Sequence, residues 1–234
     1  MKIYIDQPRL KKRALLSHAA SLGGFLVLMS GLAMPLFLTG LAVVSQILVM
    51  VGILVSMSGI YFANRWVRKP RPEDSLAEAL RTLGDGYSLF NYTSLPGKHI
   101  LLMPNGVMVL ETINLAGEFS YHNGQWKEKM NLGRMLRYLL EEHLSDPTRK
   151  ARYAVEDLKA HLRDSIGLAT PVPVSGAVVF LHPLAQIEVK GAPIPVCKVE
   201  KLRKMVVTKA PKLDPDIYKQ ISSFLEERTL QSSL

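Results

Sequence analysis

Hydrophobic and polar positions divide the chain sharply at about residue 66. From Ala14 to Asn64 there is no Asp, Glu, Lys or Arg, a run of 51 residues. A helix needs only about 20 apolar residues to cross a bilayer. Pro35 lies near the middle of the run, between Gly31 and Gly40. Because proline breaks or kinks a helix, the run predicts two transmembrane helices, about Leu15–Met34 and Leu36–Tyr61, joined by a very short turn. It is too long for a cleaved signal peptide. Gln46 is placed to hydrogen-bond across such a hairpin, and His18 falls at headgroup depth.

After the linker Lys69-Pro70-Arg71-Pro72 the pattern changes. Glu73-Asp74-Ser75 opens a helix, with Leu76, Ala79, Leu80 and Leu83 at helical spacing. Gly84-Asp85-Gly86 ends it and precedes a strand, so it is not a phosphate cradle. Strands are predicted at Tyr87–Tyr92, His99–Met103 and Val107–Ile113, with Pro104-Asn105-Gly106 as a tight turn. Their apolar residues are nearly continuous, which predicts a sheet covered on both faces. A small hairpin follows around His122-Asn123-Gly124. Helices are predicted at Leu132–His143 and, capped by Asp146-Pro147, at Thr148–Ser165. Strands at Val174–Leu181 and Ile194–Cys197, a short helix at Val199–Val206 and an amphipathic helix at Asp214–Thr229 complete the chain. The fold class is α/β: a transmembrane hairpin, then a mixed central sheet flanked by helices. The expected divisions are a basic N-terminus (1–13), the hairpin (14–66), a linker (67–72), an α/β domain (73–210) and a C-terminal helix (211–234).

Charge sharpens the picture. Residues 1–71 carry nine Lys/Arg and one acid, Asp6, whereas residues 72–234 carry 20 Lys/Arg against 19 acids. The overall +9 therefore does not describe a basic globular domain, and a DNA-binding reading based on global charge fails. Cations flank both ends of the apolar run, which places both termini in the cytoplasm at the inner (plasma) membrane, with Tyr61 and Trp66 as interfacial anchors. The lipid bilayer is thus the first expected partner. No charge lies inside the run, which disfavours a channel or transporter. The single cysteine, Cys197, excludes an internal disulfide framework and a multi-thiolate zinc site. His122, His143, His161 and His182 are scattered without ligand spacing.

The stretch from Leu102 through Pro104, Asn105, Gly106 and Val107 to Glu111-Thr112, followed by Gly117 and Trp126, resembles the NERD (nuclease-related) domain family. That family runs Asp-His, a short strand, Pro-x-Gly-Val, a strand ending Glu-Thr-Lys, then Gly and Trp. Asp146-Pro147-Thr148-Arg149-Lys150 is similar to its Asn-Pro-x-x-Gln pattern, and Val178-Val179-Phe180 to the strand that follows. The resemblance covers about Glu73 to Val206. It implies a restriction-endonuclease-like fold and a metal-dependent phosphodiesterase site. In such a site a helix carboxylate, a strand Asp and a Glu-x-Lys gather on one face, because residues two apart on a strand point the same way. Hard carboxylate oxygens bind Mg²⁺, which activates water and offsets phosphoryl charge.

The chemistry-bearing positions depart from that pattern. Glu78 corresponds to the helix carboxylate and Glu111 to the strand Glu. The Asp position, before His99, is Lys98; the Lys position is Ile113; the Gln position is Lys150. A cation in place of the Asp repels Mg²⁺ or pairs with Glu111. The leading expectation is a catalytically inactive module that binds DNA or RNA, or serves as a scaffold for a protein partner. Lys98, His99, Arg149 and Lys150 are the candidate nucleic-acid contacts, though His99 equally suits a hydrogen-bonded core position. No cofactor is expected. The alternatives are a working nuclease with Mg²⁺ or Mn²⁺ on a rearranged set (Glu78, Glu111 as metal ligand, Glu118), or a purely protein-interaction module. Trp126 is expected to be a packing residue. The basic residues of the long and short helices are expected to be solvated faces that could hold phosphate backbone.

Overall fold

The computed structural model describes residues 1–38, 40–67, 69–129, 144–167, 172–208 and 210–230, without the side chains of Arg9, Arg65 and Leu230. The helix expected at Leu132–His143 lies outside the described residues. The chain forms two units, one from Pro8–Arg71 (with Met130–His143), the other from Met1–Gln7, Pro72–Lys129 and Leu144–Leu234.

The first unit contains α1 (Gln7–Phe37) and α2 (Ala42–Trp66). Both are long and apolar enough to cross a bilayer. The turn falls after Phe37 rather than at Pro35, which stays inside α1. Proline deprives the carbonyl four residues earlier of its N–H partner. That carbonyl, on Gly31, accepts a 2.7 Å hydrogen bond from the Ser45 hydroxyl of α2 instead. The hydrogen bond across the hairpin is thus made by Ser45, beside the anticipated Gln46. Arg13 stacks over the Trp66 ring at 4.4 Å, joining the two charged ends.

The second unit is built on a six-stranded sheet in the order β1-β2-β3-β4-β7-β9, the strands being β1 (Lys2–Ile5), β2 (Ser88–Asn91), β3 (His99–Met103), β4 (Gly106–Ile113), β7 (Val174–Phe180) and β9 (Val196–Lys198). β2, β3 and β4 form an antiparallel meander, and β1, β7 and β9 add in parallel. β5 (Gly117–His122), β6 (Gln125–Glu128) and β8 (Ala185–Val189) form a second, three-stranded sheet. In the β5–β6 hairpin the two turn residues, Asn123 and Gly124, both have positive φ, as a tight two-residue turn demands. The β3–β4 turn differs. Its two residues are Pro104 and Asn105, and Gly106 already pairs with Met103. Gly106 has φ 150°, and a Cβ there would meet the Pro173 carbonyl at 2.4 Å.

Successive residues of the central strands bury against opposite layers, as their unbroken apolar runs predict. Leu89, Leu101 and Leu110 pack with Leu76 and Leu80 of α3 (Pro72–Leu80) and Leu202 of α5 (Val199–Val206). Phe90, Ile100, Leu102 and Val109 pack with Val155, Leu158 and Leu162 of α4 (Pro147–Ile166) and Ile221 and Leu225 of α6 (Pro215–Leu230). At the N-terminus of α4 the Asp146 carboxylate accepts from the Arg149 N–H at 2.9 Å, and Gly167 closes the helix at φ 62°.

The N-terminal strand β1 was not anticipated, nor was β8. β1 runs beside β2, Tyr4 stacking on Phe90 at 4.7 Å and donating its hydroxyl to Glu226 of α6 at 2.7 Å. Burial, and next the Glu226 carboxylate, push the Tyr4 phenol up to about 12.

Candidate functional site

Of the polar residues singled out by sequence, Lys98, His99 and Glu111 lie at the end of the meander where β2 and β4 finish and β3 begins, whereas Glu78, Glu118, Arg149 and Lys150 do not. β3 and β4 are antiparallel, with His99 opposite Leu110. Lys98 immediately precedes β3, Glu111 follows Leu110 on β4, and Glu111 pairs with Val178 of β7. Glu111 is half-buried, Lys98 is exposed, and neither side chain is without a partner. Residues directly opposite on antiparallel strands have Cβ atoms about 5 Å apart. Continued by one residue, the ladder would set the Lys98 cation across from the strand carboxylate. Ile113, two residues beyond Glu111, is buried in a cluster with Leu115, Phe119 and Phe180.

Behind this row lies a chain of buried hydrogen bonds. His99 is only 1% exposed, and its Nδ1 is 2.7 Å from Asn91 Oδ1. The Asn91 amide donates to the Tyr4 carbonyl of β1 at 3.3 Å. Burial, with a smaller contribution from Lys98, drives the His99 imidazole down to about 3, so it is neutral in the folded protein. Its Nδ1–H serves the Asn91 carbonyl, leaving Nε2 enclosed and without a hydrogen-bond partner. The ring therefore faces the core, edge-on to Tyr92 at 5.3 Å.

The helix carboxylates separate clearly. Glu78 is 70% exposed and pairs with Arg81 on the solvent side of α3. Glu73 is 1% exposed and accepts the Tyr92 hydroxyl at 2.6 Å. Sequence reading treated Glu73 only as a helix-opening acid. Its spacing to Leu76 and Leu80 already places it on the buried face. Glu118 is exposed and its carboxylate is 3.1 Å from the Lys129 ammonium.

The remaining candidates lie at the start of α4. Arg149 and Lys150 are exposed in its first turn. The turn is positioned from below by Trp126, whose indole N–H donates to Thr148 Oγ1 at 3.2 Å while Thr148 donates to Asp146 at 2.7 Å. Trp126 packs on Tyr121 and Phe180 at 5.3 and 5.7 Å. Hydrogen bonds from Thr148 and Arg149 hold the Asp146 carboxyl below its ordinary range, against the opposing effect of burial. Cys197 is buried, and its thiol is pushed up to about 11 by that burial, so it is no nucleophile at neutral pH. Among the described residues no three His, Cys, Asp or Glu side chains gather as a metal cage.

Residues 71–181 match the family model of the nuclease-related domain, NERD. No curated protein and no solved structure matches the chain. The matched span contains α3, the β2–β4 meander, the small hairpin, α4 and β7, an order consistent with the restriction-endonuclease-like superfamily. The Glu111 strand, the Trp126 support and the Asp146-capped helix all fall within it, and this chain therefore carries a nuclease-related (NERD) domain behind two helices long enough to span a membrane.

Proposed function

We propose that the protein is a membrane-anchored NERD module that binds nucleic acid at its cytoplasmic face without cleaving it. The observation that carries this reading is the His99–Leu110 pair, which puts Lys98 and Glu111, one residue beyond it on either chain, at the same end of the sheet, with Ile113 absorbed into the core. A divalent cation needs converging oxygen ligands, and an ammonium opposite the strand carboxylate disfavours it electrostatically. A divalent cation therefore does not fit the residues present, and no catalytic step is derived through one. Returning a lysine to position 113 would set an ammonium among Phe119 and Phe180, which is costly unless it is paired. Exposed Arg149 and Lys150, in the first turn of α4, are suited to phosphate contact. A rearranged nuclease using Glu78, Glu111 and Glu118 has less support, because Glu78 and Glu118 are already paired with Arg81 and Lys129.

Chain connectivity supports the anchoring and its orientation. β1 precedes the hairpin and α3 follows it, yet β1 pairs with β2 of the same folded unit. Both ends of the hairpin then lie on one side of the bilayer, and the flanking cations favour the cytoplasmic side of the inner membrane.

The test uses the full chain in lipid nanodiscs, since β1 belongs to the sheet. Single- and double-stranded DNA and RNA are offered with and without Mn²⁺, in parallel with Glu111→Ala. The expected result is no cleavage and binding that weakens steeply with salt. Mn²⁺-dependent cleavage lost in Glu111→Ala overturns the reading. Absence of both cleavage and binding moves the function to a protein scaffold.

A further inference from the structure

Within the hairpin, four glycines bring the two backbones together. A Cβ on Gly24 would meet Ser56 N at 2.4 Å, one on Gly59 would meet Ser21 N at 2.3 Å, and Gly31 and Gly52 are similarly crowded. Beside this seam, in the half nearer the charged ends, runs an open groove lined by His18, Ser21, Leu22, Phe25, Ser56 and Ile60. The Ser56 hydroxyl is enclosed and has no hydrogen-bond partner, an unmet polar group in an apolar setting.

The groove has a direction. At 3.6 residues per turn, Lys11, His18, Leu22 and Phe25 fall on one face of α1. Going inward, that face passes from an exposed ammonium, through the imidazole and the Ser21 hydroxyl, to hydrocarbon. A phospholipid has the same gradient: phosphate, glycerol esters, acyl chain. His18 to Phe25 spans about 10 Å along the helix, room for the ester region and the first part of a chain. From Gln7 through Arg71 there is no acid and there are eight Lys/Arg, so the rim complements an anionic headgroup.

We propose that this groove holds one anionic phospholipid, its phosphate toward Lys11 and one acyl chain along Leu22 and Phe25. The proposal rests on the membrane reading above and goes beyond it by naming a site, a ligand class and a polarity. Nonspecific attraction would depend only on total charge; a seated lipid depends on which face carries the charge. Lys12 provides the control, because it is also exposed but lies about 100° around the helix from Lys11.

Membranes holding the full chain are first washed with alkaline carbonate, and the chain that stays behind is extracted in detergent and reconstituted in phosphatidylcholine nanodiscs containing phosphatidylglycerol. Lipid retained after transfer to detergent is counted by native mass spectrometry. The expected result is one retained phosphatidylglycerol per chain. Lys11→Gln should lower the preference for it over phosphatidylcholine about fivefold, and Lys12→Gln less than twofold. Ser21→Leu, which fills the groove, should abolish retention of both lipids; if that variant does not insert, the lysine pair still decides. Equal effects of the two lysine substitutions, or no preference for phosphatidylglycerol, overturn the site while leaving the anchor intact. A chain that leaves the membrane in carbonate overturns the anchor itself.

Discussion

In the hairpin, backbone meets backbone: Gly24 lies against Ser56, Gly59 against Ser21 and Gly52 against Leu28, while leucines and valines point outward. In the α/β unit the order is reversed. Leu101, Leu110, Phe90 and Phe180 point inward and are fully buried, and charged groups other than Asp6 and Glu73 mostly face out. The difference follows from the solvent each region suits. In water, burying large side chains is the main driving force. Against lipid tails a leucine gains little by turning inward, so close contact of small residues and interhelical hydrogen bonds must hold the helices together.

Four substitutions break or sharpen that comparison. The largest effect is expected from Leu110→Ala, which empties a site with no solvent exposure between α3 and the sheet. It should cost about 2–5 kcal/mol and lower the thermal midpoint of the α/β unit, with no change in the hairpin. Gly59→Leu forces a side chain into the Ser21 backbone and should cost about 1–3 kcal/mol. Its readout is unfolding of the full chain in SDS–detergent mixtures; a neutral effect there would mean that the seam does not hold the helices.

The third prediction is a pH dependence confined to the α/β unit. His99 takes up a proton near pH 6.5 when unfolded but only near pH 3 when folded. As pH falls from 6.5 towards 3, the unfolded chain therefore binds the extra proton and stability is lost. At pH 5 the loss from this residue should be about 2 kcal/mol relative to neutral pH. The stabilities of the parent and His99→Gln, compared at pH 7.5 and pH 5, should converge by that amount at the lower pH. Parallel pH profiles would show that the ring is not held neutral. The smallest effect is expected from Ser45→Ala, which leaves the Gly31 carbonyl without its donor beside Pro35. A loss of about 1 kcal/mol in the SDS titration is the expected outcome.

Much of the fold could be read from local pattern. The three meander strands, the helix capped by Asp146 and the C-terminal helix lie within a residue or two of their expected positions, because each is marked by an apolar run or a capping residue. β1 could not be read so, because Lys2–Ile5 is four residues long and its partner β2 lies more than 80 positions away. β8 shows only a brief alternation and is made a strand by parallel pairing with β5. Pro35 marked the bend only approximately, since the Ser45 hydroxyl lets α1 continue for two more residues.

The candidate site divides in the same way. The identities of Lys98 and Ile113 are visible in the sequence alone, because chemistry follows residue type. Which carboxylate of α3 is buried is a different kind of question. The spacing of Glu73 to Leu76 and Leu80 marks its face, but only the packing of that face on the sheet brings its carboxylate to Tyr92, while Glu78 stays with Arg81 in water. The sequence by itself determined the apolar hairpin, the strand periodicities and the residue types near Glu111, since these depend on the order and type of nearby residues. The tertiary structure alone decided the edge strand, the Asn91–His99 link and the pairing of His99 with Leu110. Those depend on strand register, which is set by contacts between residues far apart in the chain.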